Sequence, residues 1–306
     1  MIVKVSNSME IKRVEPQGFC KGVIKAMKLI NEVVQNPSVP RPLYMLGGLV
    51  HNQHIIGAYE QLGVIVINTL DGIDHGSVII TAHGASEAIK NEILHKGLHL
   101  IDATCQDVAK THALIQIKLQ SHTTIIFYGK REHPETKGVL GISPAIILIE
   151  SLDDIKRLPF INGPVALMVQ TTMGYQEVLA LVKELKAKIP QLELYHDVCH
   201  ATKSRQEALV DALPGTDLVI IVGDPMSNNT KKLQEVARSN TKCPVLLIES
   251  INDILDYDFT DIKHVVISSG ASTPPAIVNE IEHGLKYGLH PSTLTSVDYL
   301  QYKKPR

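Results

Sequence analysis

The chain has 306 residues, of which 44% are apolar, and its formal charge at pH 7 is −2. This length predicts two or three compact α/β units of roughly 100 residues each, and the charge is unlike that of a nucleic-acid binder, whose surface is basic. No stretch reaches the roughly 18 apolar residues of a membrane span and no signal peptide is recognisable, so we expect a soluble, cytoplasmic protein without nucleic-acid or membrane partners.

Strand and helix patterns alternate from the start of the chain, and we predict a first α/β domain over residues 1–102. Its first helix opens at Cys20, after a short N-terminal strand. Apolar runs that end in glycine or polar residues predict the strands, and apolar spacings of three and four predict the helices. The predicted elements are a helix over Val23–Val34, strands over Leu43–Leu46, Val64–Ile67 and Val78–Ile80, and polar turns at His51 and His83.

The same order repeats twice along the rest of the chain. We predict a second domain over residues 103–196, a third over residues 197–288 and a C-terminal tail without clear periodicity over residues 289–306. Cys105 and Cys199 open helices in these domains as Cys20 does in the first. The further predicted elements are strands over Thr123–Tyr128, Val165–Val169, Leu218–Val222 and His264–Ile267, helices over Val178–Ile189 and Ala201–Leu213, and surface helices near Ser151–Ile155 and Glu249–Ile254.

Matching offsets support an internal repeat. In each predicted domain one strand ends at a glycine, and a polar turn residue lies four positions further on. These turn residues are His51, His133 and Ser227. Three domains of one plan imply a pseudo-threefold molecule. Since ligands bind at the carboxyl ends of parallel strands, the polar turns would converge on one pocket.

The three cysteines at strand-to-helix junctions suggest a shared site. A thiol at a helix N-terminus feels the positive end of the helix dipole, which favours the thiolate form that binds metals. The spacing is too wide for a zinc ribbon and unlike the compact cysteine run of ferredoxins, so zinc, an iron-sulfur cluster and buried structural thiols all remain open. Cys243 has no counterpart in the other domains and is expected to be a small core residue.

The polar turns favour an anionic ligand. Backbone N–H groups and helix dipoles at such junctions bind phosphate, and the turn residues of this kind are His51, His83, Ser227, Asn229 and Ser272. Glu135, directly after His133-Pro134, is the carboxylic acid that we expect to transfer protons, because a carboxyl buried beside an anion has a raised pKa. The alternative for Glu135 is an exposed loop carboxylate. Six other histidines are expected to be ordinary core or surface residues: His54, His75, His95, His99, His112 and His122.

Several short motifs, read together, resemble one known family. The chain resembles the LytB-type 4-hydroxy-3-methylbut-2-enyl diphosphate reductases, the last enzymes of the non-mevalonate isoprenoid pathway. The motifs follow the family's order from about Glu15 to Tyr287. They are Gly18-Phe19-Cys20, Val50-His51-Asn52, Thr81-Ala82-His83-Gly84, Asp102-Ala103-Thr104-Cys105, His133-Pro134-Glu135, Gln170-Thr171-Thr172, Cys199-His200-Ala201-Thr202, Arg205-Gln206-Glu207, Ser227-Asn228-Asn229 and Gly270-Ala271-Ser272.

This resemblance implies a fold and a set of site residues. It implies three similar α/β domains in a pseudo-threefold trefoil around a central [4Fe-4S] cluster, held by Cys20, Cys105 and Cys199 with one iron open for the substrate hydroxyl. Glu135, helped by Thr171 and with His133 nearby, would deliver protons. Two electrons would come from an external donor such as a ferredoxin or flavodoxin. The substrate-binding residues would be His51, His83, His133, Thr171, Ser227, Asn228, Asn229 and Ser272.

Three positions depart from the family's usual pattern, and other functions stay open. Gln17 stands where a basic residue is frequent, Gln106 where proline usually follows the second cysteine, and Gly174 where serine follows Gln-Thr-Thr. One alternative is a zinc hydrolase or lyase with Glu135 as base, which would be colourless and redox-silent. Another is a cluster-bearing or diphosphate-binding sensor, which would tolerate Glu135→Gln.

Overall fold

The computed structural model describes residues 9–195 and 198–302, and its strands and helices alternate throughout that range. The strands are β1 (Glu10–Arg13), β2 (Leu43–Leu46), β3 (Val64–Ile67), β4 (Ser77–Ile80), β5 (His99–Asp102), β6 (Thr124–Tyr128), β7 (Ile147–Ile149), β8 (Val165–Val169), β9 (Leu192–Tyr195), β10 (Leu218–Val222), β11 (Val245–Ile248) and β12 (His264–Ser269). The helices are α1 (Lys21–Gln35), α2 (Gln53–Gln61), α3 (Glu87–His95), α4 (Gln106–Gln120), α5 (Pro134–Leu140), α6 (Leu152–Arg157), α7 (Tyr175–Lys188), α8 (His200–Ala212), α9 (Asn228–Asn240), α10 (Pro275–Tyr287) and α11 (Ser296–Tyr299).

The described residues divide into two compact units. One comprises the described parts of Met1–Met27, Val50–Leu62 and Ala201–Arg306, and the other comprises those of Lys28–Leu49 and Gly63–His200. The first unit, called the β12 unit below, holds one four-stranded sheet; the second, called the β8 unit, holds two. No helix within the described ranges is long and apolar enough to cross a membrane.

The central strands are continuous apolar runs. Every residue of β4, β8 and β10 is buried, as expected for strands that are covered by helices on both faces of a parallel sheet. The edge strand β1 alternates between exposed and half-buried residues. The predicted strands over Leu43–Leu46, Val64–Ile67, Val165–Val169 and Leu218–Val222 are confirmed at both ends, because an unbroken apolar run bounded by glycine or polar residues leaves little freedom in the boundaries.

All three sheets are parallel and share one strand order, β3-β2-β4-β5, β7-β6-β8-β9 and β11-β10-β12-β1. In the third sheet the last position is taken by β1, with Glu10 opposite His264 and Arg13 opposite Ile267. The strand that precedes Cys20 therefore belongs to the sheet of β12, whereas the predicted first domain placed it with residues 1–102. The domain boundaries remain a prediction, and the boundary at residues 196 and 197 lies outside the described residues.

Two short surface helices have the same hydrogen bonds at their N-termini. In α6, the Asp154 carboxylate accepts from the backbone N–H groups of Glu150 and Ser151. In the 3-10 helix Ile251–Ile254, Asp253 accepts in the same way from the N–H groups of Glu249 and Ser250. The predicted equivalence of these two helices is confirmed. The tail contains the helix α11, while its last residues, 303–306, lie outside the described ranges.

Two glycines give a matched stability test. A β-carbon at Gly129 would lie 2.7 Å from Thr136 Oγ1 and 2.8 Å from Phe127 Cε1, so Gly129→Ala should destabilise the protein by about 1–3 kcal/mol. Gly57 lies inside α2 with nothing within 4 Å of its would-be β-carbon, so Gly57→Ala should stabilise by about 0.5–1 kcal/mol. Chemical unfolding measures both; shifts of the same sign would contradict the packing described.

Candidate active site

The three cysteine turns have one local structure. Each cysteine directly precedes a helix, and its backbone N–H donates to the carbonyl of the second residue after a central strand. The donor–acceptor pairs are Cys20 to Ala271 at 3.0 Å, Cys105 to Ala82 at 3.0 Å and Cys199 to Thr171 at 3.1 Å. The same backbone pairing therefore fixes each of these three cysteines at the carboxyl end of a sheet. Within the described residues none of the cysteines forms a disulfide bond.

The three polar turns also repeat. Each follows the other central strand of its sheet, where a glycine N–H donates to the last residue of the neighbouring edge strand. These bonds run from Gly47 to Ile67, from Gly129 to Ile149 and from Gly223 to Ile248. Four residues after each glycine lie His51, His133 and Ser227, as the offsets predict. His133 and Ser227 are helix N-caps, whereas His51 precedes the N-cap Asn52 by one residue.

In the β8 unit the turn after β6 buries a carboxyl group. Glu135 lies in the first turn of α5 and is only 1% exposed. Its Oε1 accepts from the Thr171 N–H and its Oε2 from the Thr171 hydroxyl, both at 2.8 Å. Burial raises the pKa of Glu135 to about 7, against the two Thr171 hydrogen bonds, which stabilise the carboxylate. The alternative of an exposed loop carboxylate is therefore wrong, since the Glu135 side chain is buried.

Thr171 joins this acid to a cysteine. While its N–H and hydroxyl hold Glu135, its carbonyl accepts from the Cys199 N–H. The neighbouring Gln170 keeps the turn rigid, since its Oε1 accepts from the Lys130 N–H at 2.9 Å and its Nε2 donates to Thr172 Oγ1 at 2.7 Å. Because Thr171 bonds to both residues, a displacement of Cys199 would also displace the Glu135 carboxyl group.

Two histidines lie beside this acid in the β8 unit. The rings of His83 and His133 meet edge to face, with centroids 5.2 Å apart and an interplanar angle of 89°. His133 Nδ1 accepts from the Glu135 N–H at 3.2 Å, so the neutral ring carries its proton on Nε2. The structure thus brings His83, His133, Glu135 and Thr171 together, with Cys199 bonded to the last of them.

The β12 unit groups the small polar residues. Ser227 caps α9, and the Ser272 hydroxyl lies 3.4 Å from Ser227 Oγ and 3.4 Å from the His51 carbonyl oxygen. Asn229 Oδ1 accepts from the Ala271 N–H, and its Nδ2 donates to Thr202 Oγ1, both at 3.0 Å. These hydroxyl and amide groups surround a helix N-terminus, which is a favourable place for an anion. Burial lowers the pKa of His51, although the nearby Asp224 carboxylate opposes this.

A comparison with known protein families identifies the family of this chain. The family model described as LytB protein matches residues 11–286 of the chain. This chain belongs to the LytB family.

Curated relatives and solved structures agree with that assignment. This LytB family member is 40% identical over 281 residues to the 4-hydroxy-3-methylbut-2-enyl diphosphate reductase of Symbiobacterium thermophilum, covering 89% of this chain and 95% of the relative. It is 40% identical over 280 residues to the enzyme of the same name from Geobacillus kaustophilus, covering 89% of each. The solved E-1-hydroxy-2-methyl-but-2-enyl-4-diphosphate reductase of Plasmodium falciparum matches with a TM-score of 0.86 and 28% identity, over 96% of this chain and 98% of that one.

Two further residues of this LytB family member have buried polar side chains. His112, expected to be an ordinary histidine, is buried on α4, where its ring fills the space that a β-carbon at Gly84 or Gly138 would enter. Its Nε2 has no hydrogen-bond partner among the described residues. Arg205 is 2% exposed and donates to the Gly18 carbonyl at 2.5 Å, which ties α8 to the Cys20 turn. Sequence reasoning listed Arg205 only as part of a motif.

The three departures from the family pattern have different surroundings. The Gln17 amide is buried, and neither its nitrogen nor its oxygen has a partner among the described residues. Gln106 is exposed at the first position of α4, where proline would also fit because that N–H is unused by the helix. Gly174 caps α7, and a β-carbon there would lie 2.9 Å from Glu177 Cδ, so a larger residue would displace the Glu177 side chain.

The buried Glu135 carboxyl predicts a pH dependence of stability. Its folded pKa, about 7, lies above the ordinary value of 4.5, so the unfolded chain loses its proton first and stability falls as pH rises between these values. The unfolding free energy of Glu135→Gln, relative to wild type, should therefore increase by about 2–3 kcal/mol between about pH 5 and pH 8. Urea unfolding at both pH values measures it.

The control is the neighbouring exposed Glu132, whose pKa is lowered by a hydrogen bond from Lys137. Glu132→Gln should show no comparable change between pH 5 and pH 8, because a lowered pKa affects stability only below the ordinary value of 4.5. Parallel pH curves for wild type and Glu135→Gln would contradict the burial of an ionisable proton at this position.

Proposed function

We propose that this chain is a 4-hydroxy-3-methylbut-2-enyl diphosphate reductase, which converts its substrate into isopentenyl and dimethylallyl diphosphates in the last step of the non-mevalonate isoprenoid pathway. Family membership and the names of the relatives support the reaction. The observation that carries the proposal is the buried Glu135, held by Thr171 next to Cys199. A reductive loss of a hydroxyl group needs a proton source at the place where electrons arrive, and this arrangement supplies one.

The donor set fits an iron-sulfur cluster, and we propose Cys20, Cys105 and Cys199 as its ligands. Each is a free thiol at the start of a helix, and the Val23 N–H donates to Cys20 Sγ at 3.4 Å. Within the described residues no three His, Cys, Asp or Glu side chains are grouped to hold a single metal ion. A [4Fe-4S] cluster held by three thiolates would pass on the two electrons of an external donor one at a time and would supply a Lewis-acidic iron.

We propose that the β12-unit residues bind the diphosphate. The hydroxyl groups of Ser227 and Ser272 and the amide of Asn229 offer donors around the N-terminus of α9, whose dipole favours an anion. Asn228, half-buried at the first position of α9, is proposed to donate from its side chain as well. His51, His83 and His133 are proposed to contribute ring N–H groups.

Glu135 is proposed as the proton donor, with Thr171 as its support. The reaction takes up two electrons and two protons: the allylic C–O bond breaks, the hydroxyl leaves as water with one proton, and the allyl group receives the other at carbon. A carboxyl group whose pKa is about 7 is partly protonated at neutral pH, so it can deliver a proton and be reprotonated. His133, bonded to the Glu135 N–H, orients the turn that carries the acid.

The electrons are proposed to come from a separate protein. The chain has no flavin or nicotinamide fingerprint, and a small acidic iron-sulfur or flavin protein such as a ferredoxin or flavodoxin fits the chemistry. A cytoplasmic location is proposed with it, since free, partly exposed cysteine ligands need a reducing compartment.

The cysteine assignment predicts a spectroscopic result. Anaerobically purified wild type should be brown, with broad absorbance at about 400 nm and bound iron and sulfide, because thiolate-ligated clusters absorb there. Cys105→Ser should lose this absorbance, whereas Cys243→Ser, the matched control at a partly buried thiol packed against the core, should keep it. A colourless wild type that binds zinc stoichiometrically would contradict the assignment.

The acid assignment predicts a specific kinetic loss. Glu135→Gln keeps the shape of the side chain but has no proton to give, so turnover with a chemical reductant should fall about 100-fold or more while cluster absorbance is unchanged. Glu132→Gln, three residues away and exposed, is the control and should retain turnover. Wild-type turnover in Glu135→Gln would remove the acid role and favour a sensor.

A further inference from the structure

A C-terminal segment lies beyond the residues that the family model matches. The family model ends at residue 286, and the curated relatives align over 89% of this chain. The described chain continues to residue 302 and is ordered by specific contacts. We call residues 289–302 the strap. It belongs to the β12 unit throughout.

The start of the strap is fixed to the core of its unit. Leu289 is 1% exposed and packs in the core cluster beside β10 and β12. The Ser292 hydroxyl lies 2.8 and 2.9 Å from the two carboxylate oxygens of Glu280 on α10, and the Ser292 N–H donates to Asn252 Oδ1 at 2.9 Å. These contacts fix the position of the first residues of the strap on the core of the β12 unit.

The end of the strap packs on α2. The rings of Tyr299 and His54 lie 4.5 Å apart with an interplanar angle of 34°, and the Ser296 hydroxyl donates to the Gln61 side chain. Tyr299 also packs against the core cluster that contains Leu289. Since His54 lies in the first turn of α2 and Gln61 in the last, the strap contacts α2 at both ends.

Helix α2 carries one of the proposed diphosphate residues at its start. His51 immediately precedes the N-cap Asn52, and the His51 carbonyl oxygen lies 3.4 Å from the Ser272 hydroxyl. The Gln53 N–H donates to Asp224 at 3.3 Å, in the turn that leads to Ser227. Both hydrogen bonds, from Ser272 to His51 and from Gln53 to Asp224, are long. A further contact that immobilises α2 would therefore have a large effect on the position of His51.

We propose that the strap is a positioning element that clamps α2 and thereby holds His51 against the diphosphate of the substrate, an inference that rests on the proposed function. The strap touches none of the reacting atoms. Removal of the strap should weaken substrate binding. It should leave proton delivery by Glu135 unchanged, because Glu135 and Thr171 lie in the β8 unit. A strap that only stabilised the fold would leave substrate affinity unchanged.

The experiment compares wild type with a chain ending at Pro291 and with Tyr299→Ala. Val297→Ala is the matched control, because Val297 lies on the same short helix and is 71% exposed. With a chemical reductant, the truncation and Tyr299→Ala should raise KM about tenfold and change kcat less than about twofold. Cluster absorbance should be equal in all four proteins. Hydrogen exchange of the α2 amides, residues 53–61, should accelerate about tenfold in the same two variants.

Two results would overturn the strap proposal. One is an unchanged KM in both variants, even if their unfolding midpoints fall, since the strap would then serve stability alone. The other is unchanged exchange protection of α2. Failure of the proposed function would be distinguishable: wild type would then show no turnover, while the exchange measurement would still decide whether the strap clamps α2.

Discussion

The contact on which the proposed chemistry depends is the double hydrogen bond between Thr171 and the buried Glu135 carboxyl. The two bonds favour the carboxylate, whereas burial favours the acid, and the stronger burial effect leaves the pKa of Glu135 near 7. Because the Thr171 carbonyl also accepts from the Cys199 N–H, the acid is placed by the same residue that places a proposed cluster ligand. One threonine thus sets both the position and the proton affinity of the acid.

One turn structure is used three times with different side chains. The backbone hydrogen bonds from each of the three cysteines and each strand-ending glycine are the same in all three sheets. The backbone structure of the turns is therefore independent of their side chains. At the polar turn the third sheet carries Ser227, and the other two carry histidines. The position after the cysteine's acceptor carbonyl is held by Ser272, His83 and Thr172. The repeat supplies equivalent positions in each sheet, and different side chains at them give the proposed anion site in one unit and the proposed acid in the other.

Much of this could be predicted from local sequence signals. Buried parallel strands are unbroken apolar runs, so Val165–Val169 and Leu218–Val222 had visible limits, and the offset from glycine to turn residue marked His133 and Ser227. The pairing of β1 with β12 could not be predicted, because it depends on closure of the whole chain rather than on periodicity. The contacts of Arg205 with Gly18 and of Tyr299 with His54 could not be predicted for the same reason, because each joins remote segments.

The most direct test of the account is the pH dependence of kcat in wild type, Thr171→Val and Thr171→Ser, with a chemical reductant. Turnover of wild type should decline above about pH 7, as Glu135 loses its proton. Thr171→Val removes a hydrogen bond that stabilises the carboxylate, so the pKa rises and the decline should move to higher pH, whereas Thr171→Ser keeps the hydroxyl and should match wild type. The same pH limit in all three proteins would contradict the claim that Thr171 tunes the acid.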